Sequence, residues 1–268
     1  MLRKYSNSRT LSDNIKLGSL TALAAGMVNV TSVIIFFAFT SNVTGHYAIL
    51  AQEIAKGNWY QAGVVFLWIS LFFIGSFASN MFIIHAKKLN ERYLSHVIPV
   101  LLEIACLLVV GVYLDSFYTE TLKETEFLVG LMLFTMGLQN SLTASISNGT
   151  VKTTHLTGLT TDLGILFSML TKKEFREDKV VRGKVRLLLS IMLSYMAGGI
   201  LAGMVYLHLK YYVFFAVSFV LIIVILYDYS KLNLVRFIRR KPSAIRKVYI
   251  DEELAGSENY LRKAPFLK

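Results

Sequence analysis

The sequence predicts an all-α integral membrane fold, with six transmembrane helices built as two inverted-topology three-helix repeats. Three observations predict it. The 268-residue chain is 54% hydrophobic with a mean hydropathy of +0.54. Six apolar runs approach or exceed the roughly 20 residues a helix needs to cross a bilayer core. One polar phrase is written twice: "TSNVTGHYAIL" from Thr40 and "TTHLTGLTTDL" from Thr153, each just after a long apolar run.

The expected spans are 17–39, 60–84, 96–117, 127–147, 187–208 and 211–229. The last is the shortest and follows a hinge from His208 to Tyr211. Helix is the expected state because lipid offers no partners to unpaired backbone groups. The ten-residue alternating strands of a membrane barrel are absent. The first run is too long for a secretory signal, lies behind a polar arm and is followed by five more spans. The expected organisation is an N-terminal arm (1–16), a first repeat (17–117), a second repeat (127–230) and a basic tail (231–268).

The net charge of +11 is a topology signal before it is anything else. Lys and Arg gather in the loops of one face. The arm holds four, the loop after the second span three, the loop between the fourth and fifth spans eight and the tail ten. The opposite loops hold one each, Lys56, Lys123 and Lys210. Both termini are therefore expected in the cytoplasm of a cell-membrane protein. The basic face is expected to meet the anionic lipids of the inner leaflet. Charge placed this way argues against nucleic acid as a partner. The single cysteine, Cys106, excludes an internal disulfide and a cysteine-rich metal site.

The echo extends beyond the polar phrase. "GMVNVTS" (Gly26, Asn29) and "GLQNSLT" (Gly137, Asn140) stand 111 residues apart with the same Gly-to-Asn spacing. "GSFASNMFIIHAK" from Gly75 and "GGILAGMVYLHLK" from Gly198 align at an offset of 123. Each unit reads helix, polar Thr-Gly segment, helix, helix. Three spans is an odd number, so two such units enter the membrane from opposite sides, an arrangement that recurs in secondary transporters.

The stretch "FTMGLQNSLTASISNGTVKTTHLTGLTTDLG" (Phe134 to Gly164) resembles the signature of the YoaK-type family of uncharacterised bacterial membrane proteins. "GMVNVTSVIIFFAFTSNVTG" resembles that family's other motif more loosely, and the resemblance covers roughly residues 17 to 230. The family usually carries an acidic residue where Asn29 stands and asparagine where His46 stands. The resemblance implies a six-span, repeat-built membrane protein and names no substrate.

Several polar positions are candidates for binding or gating a solute. Thr44-Gly45 and Thr157-Gly158 are expected to break the helix, glycine permitting the bend and threonine satisfying freed backbone groups. A helix starting near Thr157 would aim free N–H groups at an anion or a carboxylate. The same residues also serve plain close packing. Glu103 lies inside the third span, where a charged carboxylate costs about 2.5–3.5 kcal/mol, so it is paired, protonated or functional. Asn29 and Asn140 either line a solute path or cross-link helices. Asp162 either caps a helix or coordinates a cation. His46 and His155 are gate or relay candidates, whereas His85 and His208 read as membrane-edge residues. Gly198, Gly199 and Gly203 read as a close helix contact.

No phosphate loop, nucleophile elbow or His-Glu metal motif is present, so no enzyme and no cofactor is expected. The leading expectation is a transporter of an unknown small solute by alternating access, with proton linkage through Glu103. An uncoupled small channel remains open. So does a membrane scaffold whose tail docks lipids or a partner, through an amphipathic segment at Leu232–Ile238 ending before Pro242. Six spans suffice for a whole carrier or for half of a homodimer.

Overall fold

The computed structural model describes residues 2, 9–85 and 89–239, and its regular elements are all helical. In chain order they are α1 (Leu11–Phe36), α2 (Val43–Ala55), α3 (Trp59–Ile84), α4 (Leu89–Ser116), α5 (Leu122–Ile146), α6 (Leu156–Leu170), α7 (Lys173–Glu177), α8 (Lys179–Leu209) and α9 (Val213–Arg239). A 3₁₀ turn, Lys210–Tyr212, joins the last two.

Among the described residues five segments are long and apolar enough to cross a membrane, which makes this a multi-pass membrane protein. They are α1, α3, Tyr93–Ser116 of α4, α5, and one run of 49 residues from Lys179 to Tyr227. That run covers the fifth expected span, 187–208, and the sixth, 211–229, as far as Tyr227. Its interruption is at Lys210, which holds φ 45° and ψ −119° and so cannot carry the helix on.

Several helices begin ahead of their apolar runs, because capping chemistry rather than hydropathy sets a helix start. α1 starts at Leu11 rather than 17, where Thr10 and Asp13 form a reciprocal capping box. Thr121 and Glu124 do the same for α5. α8 starts at Lys179 rather than 187, with the Asp178 side chain accepting from the Val180 N–H. At the other end, Leu232–Ile238 continues the backbone of α9 instead of forming a separate helix. Pro242 and the rest of the tail lie outside the described residues.

Two helix pairs make the closest contacts: α1 with α8, and α3 with α5. Both depend on glycine. A methyl group at Gly26 would overlap the Tyr195 carbonyl oxygen, and one at Gly198 would overlap that of Leu23. In the second pair, Gly75 meets the Phe134 carbonyl and Gly137 that of Phe72 in the same way. Without a hydrophobic drive between helices in lipid, such backbone proximity is what holds them together. Gly199 shares the first contact through Val30, but nothing lies within 4 Å of a methyl at Gly203. The expectation of a close contact at Gly203 is therefore corrected: a methyl there would meet no neighbouring atom.

α4 packs on α5 and on α9, and α9 packs on α1. Leu107 and Val110 of α4 and Phe214, Val217 and Leu221 of α9 are fully buried. The short helices α2 and α6 each pack on the next long helix, α2 on α3 and α6 on α8.

Candidate functional site

The repeated polar phrases fold into two corners, each linking a long helix to a short one. At the first corner α1 stops at Phe37, whose left-handed backbone (φ 54°) turns the chain. The chain then returns past its own helix. Asn29 Oδ1 accepts from the Thr40 N–H at 2.9 Å and the Ser41 N–H at 3.1 Å. These amides are at the end of a broken helix and need an acceptor, which the buried carboxamide supplies. Asn42 then caps α2 by accepting from the Gly45 N–H at 3.2 Å.

The second corner repeats this plan with different atoms. Asn140 Oδ1 accepts from the hydroxyls of Thr153 (3.3 Å) and Thr154 (2.8 Å). Ser147 Oγ accepts from the Val151 N–H at 2.9 Å. His155 is the N-cap of α6, and its side chain makes no capping bond. Asn29 and Asn140 thus clamp the polar segments to the helices before them.

The expected Thr-Gly break is displaced. The non-helical stretches are residues 37–42 and 147–155, and Thr44-Gly45 and Thr157-Gly158 occupy the first turns of α2 and α6. Glycine is needed there for a different reason. A methyl at Gly45 would crowd the Asn42 carboxamide at 2.9 Å, and one at Gly158 the His155 ring at 2.7 Å. The N-cap side chain folds back over its own helix start, and the glycine leaves room for it. Thr44 and Thr157 are exposed.

The two corners differ in how they close. His46 is buried on α2; its Nε2 lies 2.8 Å from the Phe39 carbonyl and its ring meets the Trp68 ring edge-on at 5.5 Å. Burial pushes the imidazole pKa below its ordinary value, with the Phe39 bond opposing more weakly. Trp68 Nε1 in turn donates to the Glu126 carbonyl at 2.9 Å, tying α3 to α5. At the far end of α2, Glu53 accepts from Lys56 (2.9 Å) and Asn58 (2.8 Å). Those bonds, Lys56 first, hold its carboxyl below the usual range. α2 is thereby fastened to α3 at both ends.

α6 leaves a cleft of about 630 Å³ between itself, α1, the 148–152 loop and α8. Gly158 and Asp162 line it, with Asn14, Lys152, His155 and Lys184. Asp162 pairs with Lys184 of α8 at 3.3 Å. It sits in the second turn of α6, too far along to cap it, so the capping expectation is corrected. Its cation is a lysine, and among the described residues no group of three His, Cys, Asp or Glu could hold a metal ion.

Glu103 stands apart from both corners. It is wholly buried on α4, and among the described residues neither carboxyl oxygen has a hydrogen-bond partner. Cys106, one turn on, is half-buried. Gln139 of α5 donates to the Thr21 carbonyl of α1, while its own oxygen and Ser79 Oγ are also buried without partners. His85 and His208 are exposed at helix ends.

The structure brings Gly158 and Asp162 to one cleft, and gives Asn29, Thr44 and Gly45 to one corner and Asn140 and Thr157 to the other. Sequence reasoning passed over Trp68, Lys152, Lys184 and Asn14. Lys152 and Lys184 were counted only as loop charge, although Lys184 stands on α8 opposite an acid of α6. A search of curated proteins and a search of solved structures returned no match. The profile of the family described as "Protein of unknown function (DUF1275)" matches residues 17–227, from within α1 to within α9 and across both corners. The chain belongs to that family, which agrees with the uncharacterised family that the Phe134–Gly164 signature implied.

Proposed function

We propose that the protein is a small-solute carrier of the cell membrane, working by alternating access between two inverted three-span halves. The first half is α1 to α4 and the second is α5, α6, α8 and α9, with the Lys210 turn separating two spans. Both termini face the cytoplasm, as the basic loops direct.

The observation that carries this reading is the residue-for-residue likeness of the two glycine contacts. Gly26 and Gly137 stand 111 apart, and the carbonyls they meet, Tyr195 and Phe72, stand 123 apart. Gly198 and Gly75 stand 123 apart, and their carbonyls, Leu23 and Phe134, stand 111 apart. Exchanging the halves maps one contact onto the other. The corners support the reading from their differences. Equivalent elements are shut on the α2 side, by His46 and Trp68, and open on the α6 side, at the cleft. Two like halves in unlike states are what a carrier facing one compartment requires. In the topology above, that compartment is the cytoplasm.

Glu103 supplies the proton linkage. A buried carboxyl without partners is held far more cheaply neutral than charged. It gains a reason to be there if it meets water or a partner in the other state.

The test is a thermal-stability screen of the purified protein against a broad panel of small solutes at two pH values, with Glu103→Gln alongside. A solute at 100 times its Kd stabilises by about 2.7 kcal/mol. Solutes that score are then offered to proteoliposomes under a pH gradient. Wild type accumulates the solute and Glu103→Gln loses the gradient dependence. A panel in which nothing stabilises and nothing is taken up removes the carrier reading.

A further inference from the structure

We propose that the trough between α6 and α8 binds an amphipathic anion, its charged head at the Asn14–Lys152 end and its apolar tail between the two helices. The proposal rests on the carrier reading in taking this cleft for the open side, and it names the class of solute.

The head end carries the Lys152 ammonium and the Asn14 amide beside the polar side chains of Asn148, Thr150 and His155. Asn14 Oδ1 is already taken by the Arg9 guanidinium at 2.6 Å, so that amide has its NH₂ left to offer. Lys152 is exposed, and among the described residues no carboxylate lies within ion-pair reach of it. The acid that lines the cleft, Asp162, is engaged by Lys184. An ammonium, an amide NH₂ and an occupied acid favour an incoming carboxylate or phosphate over a cation.

Apart from the Asp162–Lys184 pair, the rest of the trough is apolar. Leu159, Leu187 and Leu188 line the main cleft. A second cleft of about 310 Å³ continues it past Ile165, Leu166 and Met169, and the two share Asp162, Val180 and Lys184. A bare inorganic anion has no use for that surface, and a purely apolar molecule has none for Lys152. A molecule carrying both an anionic head and a chain satisfies each end. Such a molecule reaches the cleft from the cytoplasm as a solute or from the inner leaflet as a lipid, with the same recognition chemistry.

The experiment uses the full chain in phosphatidylcholine nanodiscs, titrated with sodium octanoate, octanol, octylammonium and inorganic phosphate. Octanoate is expected to bind saturably, roughly tenfold tighter than octanol, as a charge-assisted bond at Lys152 requires. Lys152→Gln should erase that advantage. Asp162→Asn should tighten octanoate severalfold by releasing Lys184. Both side chains are solvent-accessible, so both variants should fold. Octanol matching octanoate, octylammonium binding, phosphate binding as well as octanoate, or an unaffected Lys152→Gln each overturns the proposal.

Phosphatidylglycerol nanodiscs separate the sources. Unchanged octanoate affinity assigns the site to a water-borne solute, and competition by the lipid assigns it to a headgroup. Octanoate that binds without uptake into proteoliposomes removes the carrier reading and leaves the site. Uptake of another solute without octanoate binding removes the ligand class alone.

Discussion

Gly26 of α1 and Gly198 of α8 lie against each other's helices so closely that neither position has room for a methyl group. Each would drive a Cβ into a carbonyl oxygen of the facing helix, Tyr195 for one and Leu23 for the other. Backbone on both sides means nothing can rotate away. Gly26→Ala and Gly198→Ala should each destabilise by about 1–3 kcal/mol, through forced separation of the helices. Gly203→Ala, with free space around the added methyl, should be neutral or slightly stabilising. Thermal or denaturant unfolding in detergent checks the contrast, and equal losses at all three positions would count against it.

Asn29 and Asn140 each act as the acceptor at one corner but satisfy different groups. Asn29 serves two backbone amides, which are fixed in place. Asn140 serves two hydroxyls, which rotate and can bond elsewhere. Asn29→Ala should therefore cost about 1–3 kcal/mol, the penalty for orphaned buried donors. Asn140→Ala should cost visibly less. The comparison needs only unfolding curves of the two variants beside wild type.

His46 should make stability depend on pH. Its folded pKa lies below the ordinary 6.5, so the unfolded chain takes up the proton first as pH falls. Stability from this residue is full above about 6.5 and declines as pH drops from there towards the folded value. His46→Gln should flatten that slope between pH 7 and 5. Melting temperatures of both proteins across that range decide it, and identical slopes would clear His46 of the effect.

Glu103→Leu should separate stability from function. Removing two buried, unpartnered oxygens in favour of an apolar group of similar size should stabilise by about 1–3 kcal/mol. The same change should abolish any pH dependence of solute uptake. A less stable Glu103→Leu would reveal a partner that the described residues do not include.

Much of the plan was readable in advance, and the parts that were not have a common cause. Gly26, Gly137, Gly75 and Gly198 could be aligned as an echo because their spacing is one-dimensional information. Their pairing, α1 with α8 and α3 with α5, could not, because an alignment states which positions are alike and not which ones touch. Asn29 and Asn140 stand out in the echo, yet their role as acceptors depends on how the chain turns, at Phe37 in one corner and at Asn148 and Gly149 in the other. The helix break expected at the Thr-Gly pairs lies ahead of them, at 37–42 and 147–155, and their glycines instead make room for the Asn42 and His155 side chains.

The amino-acid sequence by itself determined that the chain is helical and multi-pass, with its basic residues gathered in a few stretches. Hydropathy, helix period and loop charge act locally, through the transfer of each residue from water, so they survive without knowledge of neighbours. Only the tertiary structure decided that His46 shuts one corner against Trp68 while Lys184 faces Asp162 across an open cleft at the other. Those outcomes depend on short-range contact and excluded volume between residues distant in the chain. Such forces act only once the helices have chosen their partners.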